Sequence, residues 1–401
     1  MTFIKNKLKE TFFIISCKLL GKKASGLLVD FFASINSKGN KQKNGVMIIR
    51  LDVIGDFIMW LDQAKEYRAL YSNQNIVLVA DKSWSTFARQ FPYWDEVWPF
   101  DCRKFINDPC YRYDYVKKVT DRNFDVVLQV THVRFLHGDY IVRASKANQR
   151  IGSIGDLNHK KKFQKKHSDK WYTDLLPATD KPLMMLLREA EFIRALGVAD
   201  YKAKVADIST YLHPFDGSTL LPDAYCVFFP GAGGVYKRWP VDRFRKLAEL
   251  VYELTNLPIV ICGGPGEESL AQEITNENPG VYIDFSGKTT LNDLAWVIKN
   301  ASFLVANDTG AIHMAAAVNT PSICILGGGQ YGRCLPYQVE DVGLSCLPVV
   351  CIHKMDCFGC NWKMPCLSKQ DQKAGKPVPC IELISVDELF SQVRSVWQSL
   401  K

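Results

Sequence analysis

Short continuous apolar runs alternate along this chain with longer segments in which apolar residues recur every three or four positions. Residues 46–51 (VMIIRL), 75–80 (NIVLVA), 124–130 (FDVVLQV), 225–230 (YCVFFP), 258–264 (PIVICGG), 281–285 (VYIDF) and 302–307 (SFLVAN) have strand length and little polar interruption, the pattern of strands buried on both faces. Helical spacing follows from near Phe57, in EAEFIRALGV up to a glycine cap at Gly197, through Phe244, Leu247, Ala248, Val251 and Leu254, and over 290–300. This alternation predicts parallel sheets with helices on both faces, in two series. Residues 205–224, with His213-Pro214, Gly217 and Pro222, read as the connection between a first domain (45–210) and a second (211–384). A closing amphipathic helix over 385–401 carries Val386, Leu389, Phe390, Val393, Val396, Trp397 and Leu400 at helical spacing.

The polar breaks between these runs carry the candidate chemistry. In an open α/β sheet ligands sit beyond the carboxyl ends of the strands, where a following helix offers free N–H groups to an anion. Asp308-Thr309-Gly310 falls at such an end, before the small-residue helix AIHMAAAV with His313, and Pro321 leads into another apolar strand. Asp56 sits at the end of the first strand, where a carboxylate serves either as a general base or as a helix cap. After the strand at 225–230 comes Gly231-Ala232-Gly233-Gly234, then Lys237-Arg238-Trp239-Pro240, with Pro240 marking a helix start. Neither G-x-G-x-x-G nor G-x-x-x-x-G-K-[ST] occurs, so nicotinamide-enzyme and P-loop ATPase readings lack their motifs.

Composition narrows the class. The 401 residues are 47% apolar and 23% charged, those of a globular chain long enough for two domains. The net charge of +8 is concentrated in residues 1–43, with nine lysines against Glu10 and Asp30, which is not the spread of a nucleic-acid binder. Residues 1–44 read as a basic amphipathic segment plus a polar linker (36–45), with Phe3, Ile4, Leu8, Phe12, Ile15 and Leu19 near one face. Lys18 breaks its best apolar run, so it is too short to span a bilayer; it suits a helix on an anionic leaflet or a solvated helix packed on the body. No small-residue secretory cleavage site is seen, and several of the thirteen cysteines sit in apolar strands, which argues for reduced thiols and a cytosolic face. Residues 158–170 (NHKKKFQKKHSDK) hold six lysines and two histidines against one acid and read as an exposed loop. Lys160, Lys161 and Lys162 are its candidate contacts to an anionic acceptor.

Taken together, RLDVIGD, PGAGGVYKRWPVDRFRKLAELV, ICGGPGEE and FSGKTTLNDLAWVIKNASFLVANDTGAIHMAAAVNTPSICILGG resemble, in order and spacing, glycosyltransferase family nine, the lipopolysaccharide heptosyltransferases. The resemblance implies an α/β fold of GT-B type, two facing Rossmann-like domains with parallel sheets, the acceptor half first and the nucleotide-sugar half second, and a C-terminal helix packing back across the junction. It implies inverting transfer of heptose from an ADP-activated donor without metal or cofactor. The acceptor would be a lipopolysaccharide core or lipid-linked saccharide at the inner face of the cytoplasmic membrane. By matching motif positions, Asp56 becomes the base and Lys237, with Arg238, the diphosphate contact. Glu267 or Glu268 becomes the ribose contact, and Asp308, Thr309, Gly310 and His313 hold the diphosphate and donor sugar, with Gly231 and Gly233 admitting close backbone approach. Displacement at the anomeric carbon would place Asp56 across from the second domain. Position 52 is Asp where many members carry a small hydroxyl residue, so Asp52 is a rival base or acceptor contact. Trp239 reads as a packed ring at a helix start.

Cys351, Cys357, Cys360, Cys366 and Cys380, in a cysteine-rich stretch over 351–380, admit a zinc knuckle on Cys357, Cys360, Cys366 and Cys380, packed thiols or a disulfide. Three other functions share the pattern: the same fold with another nucleotide-sugar donor for surface polysaccharide, an inactive membrane-associated binding protein, and a nucleotide-sugar epimerase.

Overall fold

A computed structural model describes residues 22–37, 43–157, 160–275, 281–341, 343 and 346–401. The surface helix expected around Phe3 to Leu19 lies outside them. The chain forms two compact units. One takes residues up to Val53, Gln63–Asp180 and Arg188–Tyr201, and the other Ile54–Asp62, Lys181–Leu187 and Lys202–Lys401. Residues 202–210, read from sequence as part of the first domain, therefore lie with the second unit.

In the first unit, β1 (Val46–Arg50), β2 (Ile76–Asp81), β3 (Glu96–Phe100), β4 (Val126–Gln129), β5 (Gln149–Ser153) and β6 (Asp174–Leu176) form one sheet in the order β3-β2-β1-β4-β5-β6. Each pairing is parallel. In the second, β7 (Cys226–Phe229), β8 (Ile259–Ile261), β9 (Tyr282–Asp284), β10 (Leu304–Asn307), β11 (Ser322–Ile325) and β12 (Val349–Cys351) are ordered β12-β11-β10-β7-β8-β9, again parallel. Counted within each unit, both orders are 3-2-1-4-5-6, the Rossmann arrangement. The order reverses between β1 and β4 and between β7 and β10, and ligands enter such sheets at that switch point.

The cores follow the apolar runs. Met47, Ile49, Val77, Val79 and Val127 of the first sheet pack with Phe100, Phe105, Tyr115 and Phe124, all buried. The second core joins Phe228, Ile259, Ile261, Val305, Ile323 and Ile325 to Phe244, Leu247, Val251, Leu389 and Val393. Leu389 and Val393 belong to the closing helix Val386–Ser399, which starts in a capping box between Ser385 and Glu388 and packs on the helix Val241–Thr255, β11 and β12, all in the second unit.

Two features of the first unit differ from the sequence reading or go beyond it. The basic run is not a loop: Lys162–Ser168 is a helix followed by a 3-10 turn. Lys160 is buried and bonds Asp139, whose other oxygen accepts from the Tyr172 hydroxyl at 2.6 Å. Arg134 and Lys165 both pair with Asp169. A lysine can be buried when a carboxylate neutralises it, and here burial pulls the Lys160 pKa below its ordinary value. Lys160 is therefore a structural partner of Asp139 and not an acceptor contact, while Lys161 and Lys162 stay exposed. Second, the helix Lys22–Ile35 packs on the helix Pro109–Arg122 through Val29 and Ala33. Arg112 clamps both Asp30 oxygens at 2.7 Å, so the one acid of that helix points inward, while Leu28, Phe31 and Ile35 face outward.

Candidate active site

The carboxyl ends of β7 and β10, at the switch point of the second sheet, assemble most of the residues singled out from sequence. Asn307, the last residue of β10, is wholly buried and ties the two ends together. Its amide nitrogen donates to the Pro230 carbonyl at 2.7 Å, and its oxygen accepts from the Trp239 backbone N–H at 3.0 Å. The Gly-rich loop is thus held at both its start and its exit. The sequence reading passed over Asn307, although a lone amide ending an apolar strand was the available signal.

Beyond that clamp, Lys237 ends a 3-10 turn and its ammonium lies 3.0 Å from Asp308 and 4.7 Å from the centre of the Trp362 ring. Arg238 pairs with Glu267 at 2.9 Å. Both Glu267 oxygens are engaged by backbone amides, one by Ala232 N–H at 3.0 Å and the other by Gly264 N–H at 2.9 Å. Gly231 is required there, because a Cβ on it would lie 1.9 Å from a Glu267 oxygen; one on Gly233 would meet no heavy atom within 4 Å. Glu267 is thus a brace for the loop. Glu268 is exposed and accepts from Gly266 N–H, so of the two acids it is the more accessible. Trp239 is a packed ring, its indole N–H donating to the Ile384 carbonyl at 2.9 Å and its edge set against Phe244. Pro240 proves to be the N-cap, with the helix starting at Val241.

Thr309 is the N-cap of the helix Gly310–Ala317, its hydroxyl accepting from Ala311 N–H at 3.3 Å. His313, one turn on, is buried, and its Nδ1 lies 2.6 Å from the Tyr337 hydroxyl. Burial holds this imidazole below its ordinary pKa, against the opposing pull of Asp308 and Asp56.

Asp56 lies in the first turn of the helix Ile54–Leu70, whose N-cap is Val53, so Asp56 is not the cap. The start of this helix counts with the second unit rather than standing in a separate acceptor domain, because it makes close approaches there. A Cβ on Gly55 would lie 2.8 Å from the His313 ring, and one on Gly310 would lie 2.7 Å from Ile54. Asp52 is different. It is buried in the first unit with both oxygens on the guanidinium of Arg50, at 3.0 and 2.8 Å, and Arg50 also pairs with Glu189 at 2.9 Å. A carboxylate chelated by a buried guanidinium is a poor proton acceptor, so Asp52 braces the strand end.

The cysteine-rich stretch covers the loop after β11. Gly328 N–H points at the Cys380 sulfur at 3.4 Å, the Phe358 ring lies against Gly328, and the Trp362 ring against Gly329, where a Cβ would stand 2.5 Å away. The described cysteines are all free thiols, and Cys366, beside Cys357, is pushed up to about 11, first by burial. Among the described residues no three His, Cys, Asp or Glu side chains are gathered to hold a metal, so the knuckle on Cys357, Cys360, Cys366 and Cys380 is not assembled. The aromatic Trp362 over Lys237 was not foreseen from sequence.

The family model of glycosyltransferase family 9 (heptosyltransferase) matches residues 112–361. Over 105 residues the chain is 37% identical to lipooligosaccharide heptosyltransferase 2 of Haemophilus influenzae, covering 25% of this chain and 30% of that one. Over 159 residues it is 30% identical to lipopolysaccharide heptosyltransferase 1 of Salmonella typhimurium, covering 37% and 49%. The chain thus spans at most about half the length of these two curated relatives. In fold it is similar to the E. coli heptosyltransferase WaaC with ADP, at a TM-score of 0.63 and 16% identity, over 88% of this chain and 98% of the other.

Proposed function

Because this chain belongs to glycosyltransferase family 9, we propose that it is an inverting, metal-independent glycosyltransferase that moves heptose from ADP-heptose to a lipopolysaccharide-core or lipid-linked saccharide acceptor. The observation that carries this reading is the grouping at the switch point of Lys237, paired with Asp308, and the Thr309-Gly310 helix start, beside Asp56 and His313.

In this reading Asp56 takes the proton of the acceptor hydroxyl, whose oxygen attacks the anomeric carbon while the bond to the diphosphate breaks on the opposite face. Negative charge then gathers on the leaving diphosphate. Lys237 and the free N–H groups at the start of the helix Gly310–Ala317 stabilise it, each such donor being worth roughly 10²–10³ in rate when aimed at developing charge. Glu268 takes the ribose. Catalysis needs no cofactor on this scheme, the nucleotide sugar being a substrate.

A lipid-linked acceptor puts the reaction at a membrane surface, on the inner face of the cytoplasmic membrane. No described helix is long and apolar enough to cross a bilayer. Support for a peripheral mode comes from the outward Leu28, Phe31 and Ile35 and from the lysines of residues 1–43. Deleting residues 1–40 should release the protein from anionic vesicles at moderate salt, and unchanged co-sedimentation would reject this mode.

Two measurements test the core of the reading. ADP should raise the melting temperature more than UDP, GDP, CMP or dTDP, whereas a shift with another nucleotide alone would replace the donor. Asp56→Asn should abolish transfer and leave ADP affinity nearly unchanged; loss of ADP binding as well would remove the base assignment. A protein that binds no nucleotide would be a binding protein, and one that turns over donor without acceptor would be an epimerase.

A further inference from the structure

We propose that Tyr337 is a positioning residue: its hydroxyl donates to Nδ1 of His313 and so keeps the ring proton on Nε2, on the ring edge turned toward Gly55 and the start of the Asp56 helix. The role in transfer rests on the reaction proposed for this chain, while the protonation pattern itself does not.

The geometry fixes which partner donates. The two atoms lie 2.6 Å apart, and no other hydrogen bond of the Tyr337 hydroxyl is seen among the described residues. A phenol there needs an acceptor for its proton. Burial, with Cys334, Cys324 and Asp308 nearby, holds it well above its ordinary pKa, so it keeps that proton, and Nδ1 is the acceptor in reach. The opposite tautomer would send Nδ1–H to the phenol oxygen and strand the phenol proton. It would also leave a lone pair on Nε2. The Cδ2–Nε2 edge faces Gly55, where a Cβ would stand 2.8 Å from Cδ2 and 3.4 Å from Nε2. Burial, the larger effect, outweighs the pull of Asp308 and Asp56 on the ring's charge, with Lys237 acting alongside burial, and keeps the imidazole neutral.

The chemical consequence is specific. A neutral imidazole with Nε2–H is a hydrogen-bond donor to an oxygen of the sugar nucleotide. An imidazolium in the same place would put a positive charge within the electrostatic reach of Asp56 and weaken it as a base. Tyr337 thus supplies the donor without adding a cation beside the catalytic carboxylate.

The test uses the full chain labelled with ¹⁵N-histidine, with the His313 signals assigned by their loss in His313→Gln. The expected wild-type spectrum at neutral pH has an unprotonated Nδ1 and a protonated Nε2, and Tyr337→Phe moves both signals toward a tautomer mixture. In transfer assays Tyr337→Phe should lower kcat roughly two- to tenfold, the worth of one hydrogen bond, with the KM for the sugar nucleotide little changed. His313→Gln, whose amide nitrogen replaces Nε2, should retain more activity than His313→Asn, and adding Tyr337→Phe to His313→Gln should cost nothing further. A protonated Nδ1 in the wild type, or His313 signals unmoved by Tyr337→Phe, overturns the proposal. The expected tautomer in a protein that transfers no heptose supports the positioning and counts against the donor reading alone.

Discussion

Substituting Gly231 by Ala should damage the second unit through one carboxylate. The new methyl would stand 1.9 Å from an oxygen and 2.2 Å from the carboxyl carbon of Glu267, too close for either to remain. A free glutamate would swing aside at little cost, but this one is held by Ala232 N–H, Gly264 N–H and Arg238. Hydrogen bonds to a charged acceptor contribute about 1.5–3 kcal/mol each, and water replaces part of that at a site this near the surface, so the net loss should be about 3 kcal/mol. In thermal unfolding this amounts to roughly 6–10 °C. Glu267→Ala removes the same bonds and should cost about as much. The double variant should cost no more than either single one, since the methyl then finds room, giving a coupling of about −3 kcal/mol. Gly233→Ala, with open space around it, is the control and should stay within about 0.5 kcal/mol of the wild type. Urea unfolding of the four proteins, with ADP titration of each, decides the matter. A neutral Gly231→Ala, or a double variant near 6 kcal/mol as about the sum of the single effects, would refute the idea that the glycine exists to admit Glu267.

Asn307→Ala leaves the Pro230 carbonyl and the Trp239 N–H buried without their partner and should cost about 2–4 kcal/mol in urea unfolding. Asn307→Asp should be worse, since an acceptor then faces the Pro230 carbonyl. His137, between the rings of Phe100 and Phe135, is lowered to about 4, mainly by burial. The unfolded chain, with an ordinary value near 6.5, takes up this proton first, so stability should fall as pH drops from about 6.5 to 4, by on the order of 2 kcal/mol after allowing for the part of the ring that water reaches. His137→Phe should remove that share of the acid sensitivity in a pH series of melting curves, and an unchanged slope would rule it out.

The central strands were legible because they are buried on both faces and read as unbroken apolar runs. Among the outer strands, β9 was legible, whereas β3, β5, β6 and β12 were not. Glu96, Gln149 and Asp174 open β3, β5 and β6, short strands at or near the first sheet's edges, where partial exposure permits polar residues. Charge density marked exposure correctly over most of the helix Lys162–Ser168 but not at Lys160, because the partner that buries it, Asp139, is remote in sequence. The same limit applied at the site. Lys237, Asp308 and His313 stand out as motif residues beside strand ends, whereas Tyr337 and Trp362 come from irregular segments whose position only the folded chain reveals. Asp52 and Asp56 looked equivalent by spacing; the guanidinium of Arg50 distinguishes them.

The indole N–H of Trp239 is bonded to the carbonyl of Ile384, 145 residues further along, and the Tyr236 carbonyl accepts from Val378 N–H. During synthesis the Gly-rich loop and Lys237 therefore emerge long before the backbone that secures them. At 5–20 residues per second the wait is roughly 7–30 s. Over that interval the half-built second sheet has an unlatched loop, and the nascent chain settles the segment around Lys237 only after the strands it adjoins have all been made.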